Sequence, residues 1–180
     1  MIITITGPPG SGKSTVAKIL AKKLKFKHYS AGDFRRAIAK KRKISLEELN
    51  KEDEKTGETD ILVDEWQKKL GEKEDNFVID GRLPAYFIPH SIKIFLKVNP
   101  KVAAQRVFQQ RKGSAVEEYK NIDEALKKLK EREMSDKKRY KMLYGIDYNK
   151  LNYDLVVDTT KSTPEEISTK VLNFLKKLKI

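Results

Sequence analysis

The 180-residue chain carries 39 Lys and Arg against 26 Asp and Glu, a formal charge of +13, with 38% apolar residues, two histidines and no cysteine. That length supports one compact core and is short for two, while the lack of cysteine excludes disulfides and thiolate metal sites and two histidines poorly suit a histidine-based metal centre. The positive excess points to a polyanionic partner, a nucleotide or a nucleic acid.

The first predicted element is a strand over Ile2–Thr6, a β-branched run stopped by Gly7-Pro8-Pro9-Gly10. From Lys13 a helix is expected, because Val16, Ile19, Leu20 and Leu24 recur at helical spacing. Further β-rich runs lie at His28–Ser30, Phe77–Asp80, Ile92–Val98 and Asp154–Asp158, with helical stretches between them. Strands alternating with helices imply a parallel sheet covered on both faces. Residues 34–71 read as a charged helical insertion, and residues 111–122 (RKGSAVEEYKNI) as a polar break between two helices. The chain closes on a helix expected to reach Lys179, with Thr163 as its cap and Pro164 at its first position. His28 and Trp66 read as packing residues, and Tyr140, Tyr144 and Tyr148 as one packed helix face. Lys40-Lys41-Arg42-Lys43, Lys127-Lys128 and Lys176-Lys177 fall in helix-like segments, where a solvated face explains them. No run of about 18 apolar residues marks a membrane span, so a soluble cytoplasmic monomer with no membrane partner is expected.

Gly7-Pro8-Pro9-Gly10-Ser11-Gly12-Lys13-Ser14, followed by Thr15, fits the phosphate-loop pattern G-x-x-x-x-G-K-[ST] in full, and does so between a strand and a helix. Such glycines let backbone N–H groups converge on phosphate oxygens beside the positive end of a helix; Lys13 neutralises β and γ oxygens, and Ser14 can ligate Mg²⁺. The loop is therefore expected to hold a nucleoside triphosphate. No Asn-Lys-x-Asp guanine motif follows, which disfavours a GTPase. Arginine placement is the further clue. Arg35 and Arg36 follow the second strand, Arg82 follows the third, and Arg106, Arg111, Arg132 and Arg139 flank the polar break, whereas the remaining basic residues are mostly lysine. Arginine suits bidentate gripping of phosphates, and this many exceeds the need of one triphosphate. A second phosphorylated substrate is indicated, although Arg132 and Arg139 could equally pair with Glu131, Glu133 or Asp136. The class-distinct alternative is a nucleic-acid-associated ATPase, motivated by the Lys-rich helices; it predicts steeply salt-dependent polynucleotide binding.

Together these motifs resemble the nucleoside monophosphate kinases, most closely the archaeal-type cytidylate kinases. GPPGSGKST, SAGDFRR, ISLEELN, the Asp60, Asp64 and Gln67 spacing, IDGRL, RKGSAVEE and EREMSDKKRYKMLYGID carry the resemblance from Met1 to about Thr160. It implies a three-layer phosphate-loop fold with a five-stranded parallel sheet in the order 2-3-1-4-5. The core would take about 1–33, 72–110 and 140–180, the monophosphate-binding insertion 34–71 and the lid 111–139. It implies transfer of the γ-phosphoryl group of ATP, with Mg²⁺, to CMP or dCMP; an adenylate or uridylate kinase would share the mechanism and differ in the pocket. On the matching positions Ser30 and Gly32 shape the acceptor pocket beside Gly81, Asp33 contacts the acceptor or its arginines, and Arg36 and Arg82 hold its phosphate. Arg106 lies against the adenine, Arg132 and Arg139 close onto the phosphates, and Asp136 orients one of them or reaches the sugar. Asp80 positions a magnesium-bound water. Two departures stand out. Arg35 occupies a slot usually aromatic, so Arg35 or Arg36 can be the phosphate ligand. Leu83 replaces an aspartate that helps read cytosine in bacterial relatives, so base recognition is expected elsewhere, with Asp60, Asp64 and Gln67 as candidates. A solvated helix face explains Asp60 and Asp64 equally well.

Overall fold

A computed structural model of the chain describes residues 1–114 and 117–178. The β-branched run forms strand β1 (Ile2–Thr6), and every one of its residues is buried. It is flanked on both sides, pairing in parallel with β3 (Phe77–Gly81) and β4 (Ile92–Lys97). β2 (Lys27–Ser30) and β5 (Leu155–Asp158) complete a five-stranded, all-parallel sheet in the order β2-β3-β1-β4-β5, as expected. Alternation along the central strands serves both faces. Ile3 and Ile5 pack with Val16 and Leu20 of helix α1 (Lys13–Leu24) and with Val171 and Leu175 of the last helix, while Ile2, Phe77 and Ile79 pack beneath Leu70 and Ile88. A side-chain period of two makes this division automatic.

The strand register positions the site. Thr6 pairs with Gly81 and Ser30 with Asp80, so β1, β2 and β3 end level and their following loops share one edge. In open parallel sheets that edge is where ligands bind.

Between β2 and β3 stand three helices, α2 (Ala31–Arg42), α3 (Leu46–Thr56) and α4 (Glu58–Lys73). Ser30 caps α2 by accepting from the Asp33 N–H, and Ser45 and Glu48 form a reciprocal capping box on α3. The short α5 (Pro84–Phe87) follows β3, and α6 (Pro100–Gln110) follows β4 with Asn99 as its cap. After the polar break, α7 (Ile122–Tyr144) runs unbroken to Gly145, whose φ of +69° ends it. Tyr148 therefore leaves the helix face shared by Tyr140 and Tyr144 and sits in a 3-10 turn, where its ring still meets Tyr140 at 6.2 Å. The final helix, α8 (Pro164–Lys177), is capped by Thr163 as expected. Its predicted end at Lys179, like Ala115 and Val116 of the polar break, lies outside the described residues.

Candidate active site

The loop between β1 and α1 is shaped by what its glycines permit. Gly10 has φ +74°, and a Cβ there would stand 2.6 Å from the Ala103 carbonyl oxygen, so only glycine lets the loop rest on α6. Gly12, at φ +84°, caps α1 without a side chain, and no acidic residue occupies the helix's first turn. The orphan N–H groups of that turn are thus left to face an anion. Ser11 Oγ is buried with no hydrogen-bond partner among the described residues. Lys13 Nζ folds back to donate to the Pro8 carbonyl at 2.8 Å. Burial, and then the positive charge of Arg82, push the Lys13 amine well below its usual pKa. Asp80 and Asp136 oppose that shift only in part, and an anion on the loop would favour the charged form.

Asp80, at the end of β3, is 2% exposed. It accepts from Ser14 Oγ at 2.7 Å, from Ser30 Oγ at 3.2 Å and from His28 Nε2 at 2.8 Å. His28, read from the sequence as a packing residue, is instead a partner of this carboxylate, because residues two apart on β2 share a face and both reach the neighbouring strand's end. A hydroxyl beside a single carboxylate is a donor set that fits Mg²⁺ brought in on nucleotide phosphates. No cluster of three or more His, Cys, Asp or Glu that would cage a metal by itself occurs among the described residues.

Opposite the loop runs a chain of buried charges. Arg82 donates to Asp136 at 2.7 Å and to the Gly7 carbonyl; Arg139 donates to the other Asp136 oxygen at 2.7 Å and to Asp60; Arg35 donates to the second Asp60 oxygen, to Asp53 at 2.7 Å and to Asn50 at 2.9 Å. The series thus crosses from α3 through α2, α4 and α7 to the end of β3 and the phosphate loop. Arg139 is 1% exposed. Burial pushes the Asp136 carboxyl up, but Arg82, Arg139 and Arg132 outweigh it and hold it well below the usual carboxylate range. Asp53 and Asn50 were not legible from the sequence, since nothing in a charged helix marks which of its polar residues face inward.

The remaining arginines separate by partner. Arg36 donates to Asp33 at 2.6 Å beside Gly32, so the adjacent Arg35 and Arg36 point to different surroundings. Arg132 pairs with Glu117 at 2.9 Å rather than with Glu131, Glu133 or Asp136, and Glu117 also holds Arg111 at 3.3 Å. Arg106 lies on the far side of the loop, donating to the Thr159 carbonyl at 2.7 Å. One cleft is lined by Pro9, Gly10, Gly12, Lys13, Ser14, Thr15, Gly32, Arg35, Arg36, Asp60, Asp64, Gln67, Asp80, Gly81, Arg82, Arg111, Arg132 and Asp136, all singled out by sequence, and adds Val63 and Glu117. Gly7, Pro8, Ser11, Ser30, Asp33, Arg106 and Arg139 stand behind or beside that lining.

On α4, burial and the neighbouring Asp60 raise the Asp64 pKa to about 7, against hydrogen bonds from Tyr144 and Gln67. A carboxyl whose folded pKa exceeds its unfolded value binds an extra proton in the native state between the two, so this group's contribution to stability falls from about pH 4 to 7 and stays lost above. Asp64→Asn is expected to be more stable than wild type at pH 8 by up to about 4 kcal/mol, an advantage that disappears near pH 4 in chemical denaturation.

Against known proteins, the family model of the cytidylate kinase-like family matches residues 2–161. A cytidylate kinase of Pyrococcus abyssi is 44% identical over 169 residues, spanning 93% of this chain and 89% of its own. One from Methanothrix thermoacetophila is 42% identical over 160 residues, 88% of each chain. Among solved structures, an uncharacterized protein from Eubacterium ventriosum aligns with a TM-score of 0.68 at 20% identity over 98% of both chains, and shikimate kinase from Aquifex aeolicus with 0.62 at 22% over 100% of this chain and 99% of its own. These two share the fold. The matched family and the identity sustained over most of both chains establish that this chain belongs to the cytidylate kinase-like family.

Proposed function

We propose that the protein transfers the γ-phosphoryl group of ATP to CMP or dCMP, giving ADP and CDP or dCDP. The observation that carries this is the single cleft in which the phosphate loop and Lys13 face Arg36, Arg82 and Arg132, more fixed positive charge than one triphosphate uses. The names of the relatives supply the acceptor.

ATP occupies the loop Gly7–Thr15, with Arg106 on the adenine side. The acceptor sits between α2 and α7: Ser30, Gly32 and Gly81 bound its pocket, and Arg36 and Arg82 take its phosphate, with Asp33 fixing Arg36. Arg35, spent on Asp53, Asn50 and Asp60, is a strut for the insertion α2–α4. An acceptor phosphate oxygen attacks the γ-phosphorus; the bond to the β–γ bridging oxygen breaks, and its electron pair leaves with ADP. The nucleophile already carries negative charge, so no general base is needed. The work is positioning and charge neutralisation. Lys13 and Arg132 stabilise the transferring group; Arg139, expected from sequence to close onto the phosphates, is buried with its three nitrogens on Asp60, Ser135 and Asp136, so it anchors α7 behind the cleft. Asp136 aligns Arg82, and residues 111–139 close as a lid that excludes water. Ser14 would hold Mg²⁺, with Asp80 beside it positioned to act through water, and the ion would supply charge neutralisation for the triphosphate. Among the described residues no helix is long and apolar enough to cross a membrane. A monomer working in the cytoplasm, where free nucleotides are, fits the reaction; polynucleotide binding plays no part in turnover.

ADP release from ATP and Mg²⁺, measured with CMP, dCMP, UMP, AMP and GMP each supplied alone, tests the assignment. Fast turnover is expected with CMP and dCMP. Preference for AMP or UMP would keep the mechanism and overturn the acceptor, and ADP release independent of every monophosphate would sink the kinase.

A further inference from the structure

α4 buries an unusual stripe. Asp60, Asp64 and Gln67, at i, i+4 and i+7, line one helical face where apolar residues normally stand, and all three are 5% exposed or less. Their bonding differs. Asp60 has both oxygens taken by Arg35 and Arg139, so it has little left to offer a ligand. Asp64 accepts from Tyr144 Oη on one oxygen and from Gln67 Nε2 on the other, each at 2.8 Å. Gln67 is 1% exposed, yet its carbonyl oxygen Oε1 has no hydrogen-bond partner among the described residues. A Cβ added to Gly81 would stand 3.4 Å from that oxygen, so the oxygen lies beside the last residue of β3, and both Gln67 and Gly81 line the cleft.

At pH 8, above its raised pKa, Asp64 is a carboxylate and only accepts, so the amide turns its NH₂ to Asp64 and leaves its carbonyl beside Gly81. A buried, fixed and unpaired acceptor is costly unless a ligand supplies the donor. With CMP as the acceptor substrate, as proposed above, we propose that Gln67 Oε1 accepts a hydrogen bond from the exocyclic amino group of cytosine, and that Asp64, held by Tyr144, is the positioning residue that fixes the amide. Cytosine presents a donor at that position. Uracil presents a carbonyl oxygen there, and two acceptors facing each other repel. Selection of CMP over UMP thus follows from one oriented amide, in a chain that has Leu83 after Gly81-Arg82.

The test pairs a substrate deletion with a side-chain deletion. The value of kcat/KM is measured at pH 8 and saturating ATP for CMP, UMP and pyrimidin-2-one ribonucleoside 5′-monophosphate, which is CMP without the amino group, using wild type and Gln67→Met. Wild type is expected to prefer CMP to the pyrimidin-2-one analogue by about 10–100-fold, and to use UMP less well than that analogue. Gln67→Met, close to glutamine in shape, should lose about 10–100-fold with CMP, change less than about threefold with the analogue, and gain with UMP. Equal losses on CMP and the analogue would mark a structural role and overturn the assignment, as would a wild type indifferent to the amino group. That last result needs no variant to fold. Absence of turnover with any pyrimidine monophosphate would instead remove the kinase activity itself, a failure separable from a changed ratio among active substrates.

Discussion

Lys13→Met is expected to lower kcat/KM for CMP by about a thousandfold while leaving the folded protein as stable as wild type or more so. The first half follows from where the amine sits. It is aimed across the phosphate loop at the Pro8 carbonyl, beside Arg82, and charge developing on the transferring group has no equally placed substitute. Removing one such fixed stabiliser of transition-state charge costs about 10²–10³ in kcat, and lost ground-state grip on the triphosphate adds to it in kcat/KM. The second half follows from the depressed pKa. A lysine whose folded pKa lies below its unfolded value releases its proton more readily when folded, so at neutral pH its charge opposes folding. Methionine removes that opposition and keeps the aliphatic stem. Thermal unfolding in the absence of nucleotide should show an unchanged or raised midpoint, and the further rise that wild type gains on adding ATP should largely vanish. Retention of activity within tenfold would show that this amine does not face the triphosphate.

Asp136→Asn is expected to be the most destabilising single change in the site, by about 3–5 kcal/mol, because it leaves Arg82 and Arg139 buried with their shared counter-charge removed. At about 2–4 °C per kcal/mol for a chain of this size, the midpoint should fall by roughly 10 °C. Activity should fall about a hundredfold at temperatures where the variant is folded, since both arginines lose the group that aligns them. Its pH signature is opposite to that of Asp64. Asp136 has its pKa lowered, so its stabilisation is present above the ordinary aspartate value and is lost only as pH falls through the folded pKa. The stability gap between wild type and Asp136→Asn should therefore hold from pH 8 to 5 and close only in acid. The gap for Asp64→Asn opens over about pH 4 to 7 with the other sign. A flat gap for Asp136→Asn down to pH 1, or none at neutral pH, would mean the carboxylate does not carry the two arginines.

Much of this was legible in the chain itself. The β-branched run before Gly7, the helical spacing after Lys13 and the alternation of later runs specify strand, loop and helix through local periodicity and backbone freedom, which depend on neighbours in sequence. The phosphate-loop pattern and the arginines after β2 and β3 could be read for the same reason: a residue just past a parallel strand must lie at that sheet's binding edge. Trp66 packs against Phe34 and Tyr29 as its size suggested. What sequence left open were matters of pairing across the fold. Adjacent arginines at 35 and 36 are equivalent in composition, and only the placement of α3 and α4 turns one into a buried strut. His28 gained its carboxylate partner from the parallel register of β2 on β3, and Arg132 took Glu117 across the polar break in preference to acids on its own helix. The three polar residues of α4 look alike on a helical wheel. Tertiary packing gave Asp60 two arginines and Asp64 a tyrosine, and left the Gln67 carbonyl without a partner among the described residues, because which donors reach a buried group is decided by segments far apart in the chain.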